Sequence, residues 1–151
     1  MREVVEVAKA ACIHEDICRM PMKYRTRIGQ NGATLSKGQM QRRALAQALI
    51  AMTNDRKILV LDEFTSALDS ETEGRILRNI GPWLAGQTVI IIAHRLSTLR
   101  KLADEIVIDD GEVAERGTHA ELIAAGGWYS EMVQLQSVSA FEPSGHLAQA
   151  L

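Results

Sequence analysis

Three short stretches carry the residue types that phosphate and metal chemistry use. The first, LSKGQMQRR, sets Ser36, Lys37 and Gly38 at the mouth of a helix and puts two arginines in its next turns. Ser36 followed three residues later by Gln39 is a capping box: the serine oxygen takes an orphan backbone N–H, and the glutamine side chain reaches back. The amides left around Gly38 also form, with Ser36, an anion site at a helix N-terminus suited to a phosphate. The second stretch, KILVLD, ends in Asp62-Glu63, and the third, TVIIIA, ends in His94. A carboxylate pair at a strand end can divide labour, Asp62 holding a hydrated Mg²⁺ while Glu63 orients or deprotonates a water. His94 can donate a hydrogen bond to a phosphate oxygen. Taken singly, each has a plainer explanation, since acidic residues after a strand start turns or cap helices and a lone histidine there is commonly packed or solvated.

These residues need a scaffold that brings strand ends and a helix mouth to one edge, as open parallel α/β sheets do. From Lys57 the sequence has that character: KILVLD and TVIIIA are continuous apolar runs of the kind buried on both faces of a parallel sheet. Between them DSETEGRILRNI opens with a capping box from Ser70 to Glu73, and Pro82 and Gly86 close the crossover. A right-handed βαβ unit is expected. A third strand at Glu105–Ile108 runs into Asp109-Asp110-Gly111, a hairpin signal, and a return strand Glu112–Arg116. Thr118 and Glu121 cap one more helix, and a last helix spans Tyr129–Gln136. Upstream, Val4, Val5, Val7, Ala8 and Ala11 lie on one side of a first helix; a second, through Ile13–Met20, stops at Pro21. The helix opening at Ser36 carries Met40, Ala44, Leu45, Ala48 and Leu49 on a shared face, with Gln41, Arg42 and Gln47 largely elsewhere.

The chain has 151 residues, enough for one domain, and a 46% hydrophobic fraction that can supply a core. A net charge of −2 gives no reason to expect a nucleic-acid or membrane-surface partner. Its aliphatic runs are far shorter than the roughly 20 residues that cross a bilayer. The N-terminus has charges interspersed and lacks a long apolar run, so a cytoplasmic location is expected. Cys12 and Cys18 match no zinc spacing and are given no role.

Together, LSKGQMQRRALAQALI, KILVLDEFTSALD and TVIIIAHRLST resemble, in order and spacing, the signature motif, the Walker B strand with its D-loop, and the switch histidine of ATP-binding cassette (ABC) transporter ATPases. The resemblance runs from about Val4 to Gln136. It implies an α/β fold: a partial P-loop NTPase (RecA-like) parallel sheet with an N-terminal helical subdomain. Residues 1–52 would be the helical subdomain with X-loop and signature, 53–136 the C-terminal part of the ATPase core, and 137–151 a loose tail. Residue by residue, it places Ser36, Lys37, Gly38 and Gln39 on the signature, which in the family faces the γ-phosphate of an ATP held by the opposite subunit. Asp62 falls on the Walker B aspartate that binds Mg²⁺, Glu63 on the catalytic glutamate, Asp69 on the D-loop aspartate and His94 on the switch histidine. The implied partners are a second nucleotide-binding domain and the transmembrane domains of an exporter, at the inner face of the membrane.

Some positions depart from the family pattern. Lys37 stands where glycine is commonest, Phe64 where Ala or Pro usually follows the glutamate, and Gln47 where the usual motif has arginine. IHEDICRMPMKYRTRIGQNGATLS looks like the helical subdomain and X-loop of exporter cassettes, especially those of bacterial peptide and bacteriocin exporters, with Gln30 where a glutamate is usual. No glycine is followed by lysine, so the phosphate-cradling P-loop has no counterpart. The chain therefore resembles the C-terminal part of a cassette. The apolar residues of KILVLD and TVIIIA are then expected to be partly uncovered, and ATP turnover by the chain alone to be little or none. An alternative is a non-catalytic half-cassette that docks on an intact ATPase and presents Ser36–Gln39 to its ATP. A DNA-repair ATPase of the structural-maintenance type would need long heptads ahead of the signature, and none are present.

Overall fold

The computed structural model describes residues 1–29, 32–52, 58–93 and 105–139, which fall into two units, Met1–His94 and Arg95–Leu151. In the first unit, α1 (Arg2–Ala10) buries Val7, Ala8 and Ala10, and Ala11 follows them into the core. Val4, expected on that face, is exposed. Helix α2 (His14–Arg19) ends where Met20 turns extended (ψ 148°), the conformation that a following proline imposes on its neighbour. A 3₁₀ turn at Lys23–Arg25 leads toward α3 (Lys37–Met52).

The buried stripe of α3 is Leu45, Leu49 and Met52, whereas Met40 and Ala44, expected on the packed face, are exposed. The reason is that α1 and β1 both pack on α3, and the apolar stripe runs at i, i+4 and i+7 from Leu45. One turn before that stripe stands Gln41, a polar residue on the core-facing side.

Strand β1 (Ile58–Asp62) pairs in parallel with β2 (Thr88–Ile92), in register from Ile58 opposite Thr88 to Asp62 opposite Ile92. The sequence suggested burial on both faces. Instead Leu59 and Leu61 turn inward, with Val89 and Ile91 partly buried, while Ile58, Val60, Ile90 and Ile92 are about half exposed or more. The uncovered patch is thus one face, because period-2 alternation sends every second side chain outward.

Helix α4 (Ser70–Leu84) joins the two strands and lays Glu73, Ile76 and Ile80 inward. Its cap is Asp69, whose side chain accepts from the Thr72 N–H, rather than Ser70 as expected. Glu73 is not a capping glutamate: it is buried and accepts from the Thr65 hydroxyl at 2.7 Å. Pro82 does not close the helix, which runs on to Leu84. The proline's missing N–H costs one bond near the helix end, and Gly86, at φ 76°, makes the turn out.

In the second unit, β3 (Glu105–Asp109) and β4 (Glu112–Gly117) form an antiparallel hairpin with an irregularity between Val107 and Ile108. Asp110 (φ 46°) and Gly111 (φ 80°) take consecutive left-handed conformations, the requirement of a two-residue type I′ turn. Helix α5 (His119–Ala125) has the expected Thr118–Glu121 capping box and a left-handed Gly126 at its end. Helix α6 (Trp128–Ser139) extends beyond the expected Gln136, and Tyr129 and Val133 pack with Leu122. Residues 140–151, most of the expected tail, lie outside the described residues, as does Gln30.

Candidate functional site

The helix mouth is built as a reciprocal cap. Gln39 N–H donates to Ser36 Oγ at 3.2 Å, and Ser36 N–H donates to Gln39 Oε1 at 3.0 Å. Two orphan donors are satisfied at the turn itself. Ser36 and Lys37 are exposed, and Gly38 is half-buried. A Cβ on Gly38 would stand 3.1 Å from the Ala67 carbonyl oxygen and 3.2 Å from Leu68 Cδ2. Glycine there lets the helix start lie against the segment that follows β1.

That segment is a series of turns. Glu63, at φ 43°, anchors it by donating its N–H to the Ile92 carbonyl at 2.9 Å. Ser66 N–H bonds the Glu63 carbonyl, and Leu68 N–H the Thr65 carbonyl. Phe64, Thr65 and Leu68 are buried, so Phe64, unusual at this position, works as a core residue. Asp62, Glu63 and Asp69 are all exposed. Two hydrogen bonds from Thr72, first its N–H and then its hydroxyl, hold the Asp69 carboxyl below the usual carboxylate range.

Gln41 links the helix to these turns. Its Nε2 donates to Ser66 Oγ at 2.8 Å and to the Glu63 carbonyl at 3.3 Å, while its Oε1 accepts from Ala67 N–H at 3.0 Å. The sequence offered no role for Gln41; the available signal was its place one turn ahead of Leu45 on a stripe that otherwise buries apolar residues. On the other flank, Asp16 of α2 accepts from both Gln39 and Arg42. The helix that opens with Ser36–Gln39 is therefore bonded to the Glu63–Ala67 turns through Gln41. His94 lies outside the described residues.

The donor set suits the groups that the motifs imply. Among the described residues no cluster of three or more His, Cys, Asp or Glu is placed to hold a metal ion. An exposed strand-end carboxylate such as Asp62 fits Mg²⁺, which keeps several waters and takes one or two protein oxygens beside phosphate oxygens. Ser36, the helix start and the Lys37 charge fit a phosphate. No described helix is long and apolar enough to cross a membrane.

Residues 2–66 match the family model described as ABC transporter. The chain is 43% identical over 139 residues to the multidrug resistance-like ATP-binding protein MdlA of Escherichia coli, spanning 92% of this chain and 23% of that protein. It is 50% identical over 137 residues to the cyclolysin secretion/processing ATP-binding protein CyaB of Bordetella pertussis, spanning 91% and 19%. The structure superposes on a bacterial Atm1-family ABC exporter with ATP bound at a TM-score of 0.80 and 38% identity, over 96% of this chain and 24% of that one. The chain thus spans about a fifth to a quarter of the length of these relatives. In motif order, sequence and fold it matches the ATP-binding domain of exporter-type ABC transporters.

Proposed function

We propose that this chain serves ATP-driven export as the C-terminal part of an ABC exporter's ATP-binding subunit, working in the cytoplasm at the inner face of the membrane. Its partners are a second nucleotide-binding domain and the exporter's transmembrane domains. Asp62 would hold Mg²⁺, and Ser36, Lys37, Gly38 and Gln39 would meet the γ-phosphate of a nucleotide gripped by the opposite subunit. Bound MgATP supplies the phosphoryl group whose hydrolysis drives transport. Glu63 would orient a water and accept its proton; Asp69, on the D-loop, would lie at the nucleotide; His94 would donate a hydrogen bond to a phosphate oxygen.

The observation that carries this reading is the Gln41 linkage, which ties the signature helix to the carbonyl of Glu63 and the amide of Ala67. Because the signature would meet the nucleotide of the opposite subunit while Glu63 would act at the chain's own, a bond between them lets one chain hold the two nucleotide sites in register. The reading is tested by combining the chain with a P-loop-bearing N-terminal half-cassette and measuring Mg²⁺-dependent ATP turnover. The expected result is turnover that falls about a hundredfold or more in Glu63→Gln, the scale of losing a general base, and none from the chain alone. Turnover indifferent to Glu63→Gln would overturn it.

The half-cassette reading, in which the chain only presents Ser36–Gln39 to an intact partner, draws support from one observation. The capping box is complete within the chain's own residues. Turnover by a partner cassette that rises on adding Glu63→Gln chain as much as on adding the unmodified chain would favour it.

A further inference from the structure

Asp16 has no role in the signature, Walker B or switch motifs. It sits on α2, a six-residue helix that buries no side chain of its own, yet its carboxylate reaches the start of α3 twice. Oδ1 accepts from Gln39 Nε2 at 2.9 Å, and Oδ2 accepts from Arg42 Nη1 at 2.8 Å. Arg42 in turn donates to the Cys12 carbonyl, and its Nε lies 3.4 Å from the Gly38 carbonyl. The Asp16 and Arg42 side chains are only 20% and 17% exposed, so salt screens their pairing less than it would a surface ion pair.

The chemistry of the carboxamide gives this contact its meaning. Gln39 has one end that accepts and one that donates, and it can present either to Ser36. A carboxylate only accepts, so Asp16 admits one orientation: nitrogen toward Asp16, oxygen toward the Ser36 N–H. Turned over, the amide would set its NH₂ against the Ser36 N–H, donor against donor, and the cap would open. With the cap closed, Ser36 Oγ accepts from Gln39 N–H and keeps its own proton to donate outward.

We infer that Asp16 is the positioning residue of the signature turn: it fixes the Gln39 amide and thereby sets how Ser36 faces a phosphate. The phosphate half of this rests on the function proposed above.

The Gln39 side-chain NH₂ can be followed by ¹⁵N NMR in the full chain. Its resonances are expected to be displaced from those of a solvent-exposed amide and protected from exchange, to collapse to the exposed position in Asp16→Ala, and to recover in Asp16→Glu. Because Asp16→Ala also strands Arg42, the double variant Asp16→Ala/Arg42→Met removes both charges while still taking the acceptor from Gln39; it should show the same collapse. In parallel, ATP-dependent capture of the chain by a P-loop-bearing exporter cassette, itself disabled at its catalytic glutamate, should weaken about tenfold in Asp16→Ala, as for loss of a charge-assisted hydrogen bond, and be rescued by Asp16→Glu. Unchanged Gln39 resonances in both Ala variants, or capture within twofold of the unmodified chain, overturn the inference. An unmodified chain with the Asp16-dependent amide signature that no ATP-loaded cassette captures overturns the phosphate half alone, together with the reading beneath it.

Discussion

Asp69 shows how much one side chain can fix at a turn. Bonds from Thr72 hold its carboxyl below the usual range, so its folded-state pKa lies under its unfolded value. The stabilisation it gives α4 is therefore complete above the ordinary aspartate range and is lost as pH falls through the depressed folded value. Hydrogen exchange at Thr72 is expected to stay slow below that ordinary range and to become fast at every pH in Asp69→Ala. Exchange already fast at neutral pH would contradict the cap. Thr65 carries a second prediction. Its hydroxyl bonds buried Glu73 at 2.7 Å, so Thr65→Val takes a donor from a buried carboxyl group and should cost about 2 kcal/mol in urea unfolding. The Ser36–Gln39 cap was legible because a capping box restricts residue type and spacing. Asp16 and Gln41 were not, since a lone carboxylate or amide on a helix carries no such restriction until its neighbours are placed. The same limit explains the shifted cap: Ser70-x-x-Glu73 is a proper capping-box pattern, but Glu73 is buried against Thr65, and Asp69 caps the helix in place of Ser70.

At the scale of elements, the helices and strands followed from periodicity, while their faces did not. The hairpin's turn was legible, because Asp110-Gly111 can adopt two left-handed conformations and few other pairs can, whereas the irregularity between Val107 and Ile108 was not. The packed side of α3 was read too far toward Met40 and Ala44, since apolar spacing alone does not say that α1 and β1 both pack on that helix. Pro82 and Gly86 are expected to close the crossover, and α4 runs only two residues past the proline. Inside the last turn of α4 its penalty is confined to one missing N–H and one crowded carbonyl, and the burial of Ile76 and Ile80 upstream outweighs it. Pro82→Ala should then stabilise the chain by about 1 kcal/mol, within the range set by helix propensity, measured as a rise in urea midpoint at unchanged slope. A loss of stability would mean that the proline's fixed φ directs the exit into Gly86.

At the scale of the molecule, the β1–β2 pair leaves Ile58, Val60, Ile90 and Ile92 facing outward. An apolar face of this kind drives association. Sedimentation of the chain should therefore show concentration-dependent self-association, and Val60→Lys with Ile90→Lys should lower it while leaving the circular dichroism spectrum unchanged. Equal association of both proteins would place the sticky surface elsewhere. The sequence anticipated an uncovered patch here but not its one-sidedness, because a run of consecutive aliphatic residues conceals the alternation that burial patterns reveal.

The parallel pairing of β1 and β2 also has a consequence in time. A hairpin such as β3–β4 can close as soon as its second strand is made. By contrast, among the described strands β1 has no partner until all of α4 and then β2 have left the ribosome, because the crossover separates them in the chain. During that interval Ile58–Leu61 is a nascent, unpaired, uncharged strand, the kind of segment on which chaperones and misassembly compete. The yield of this chain from a living cell should accordingly depend on translation speed and chaperone supply across residues 58–92 more than anywhere else among its described strands.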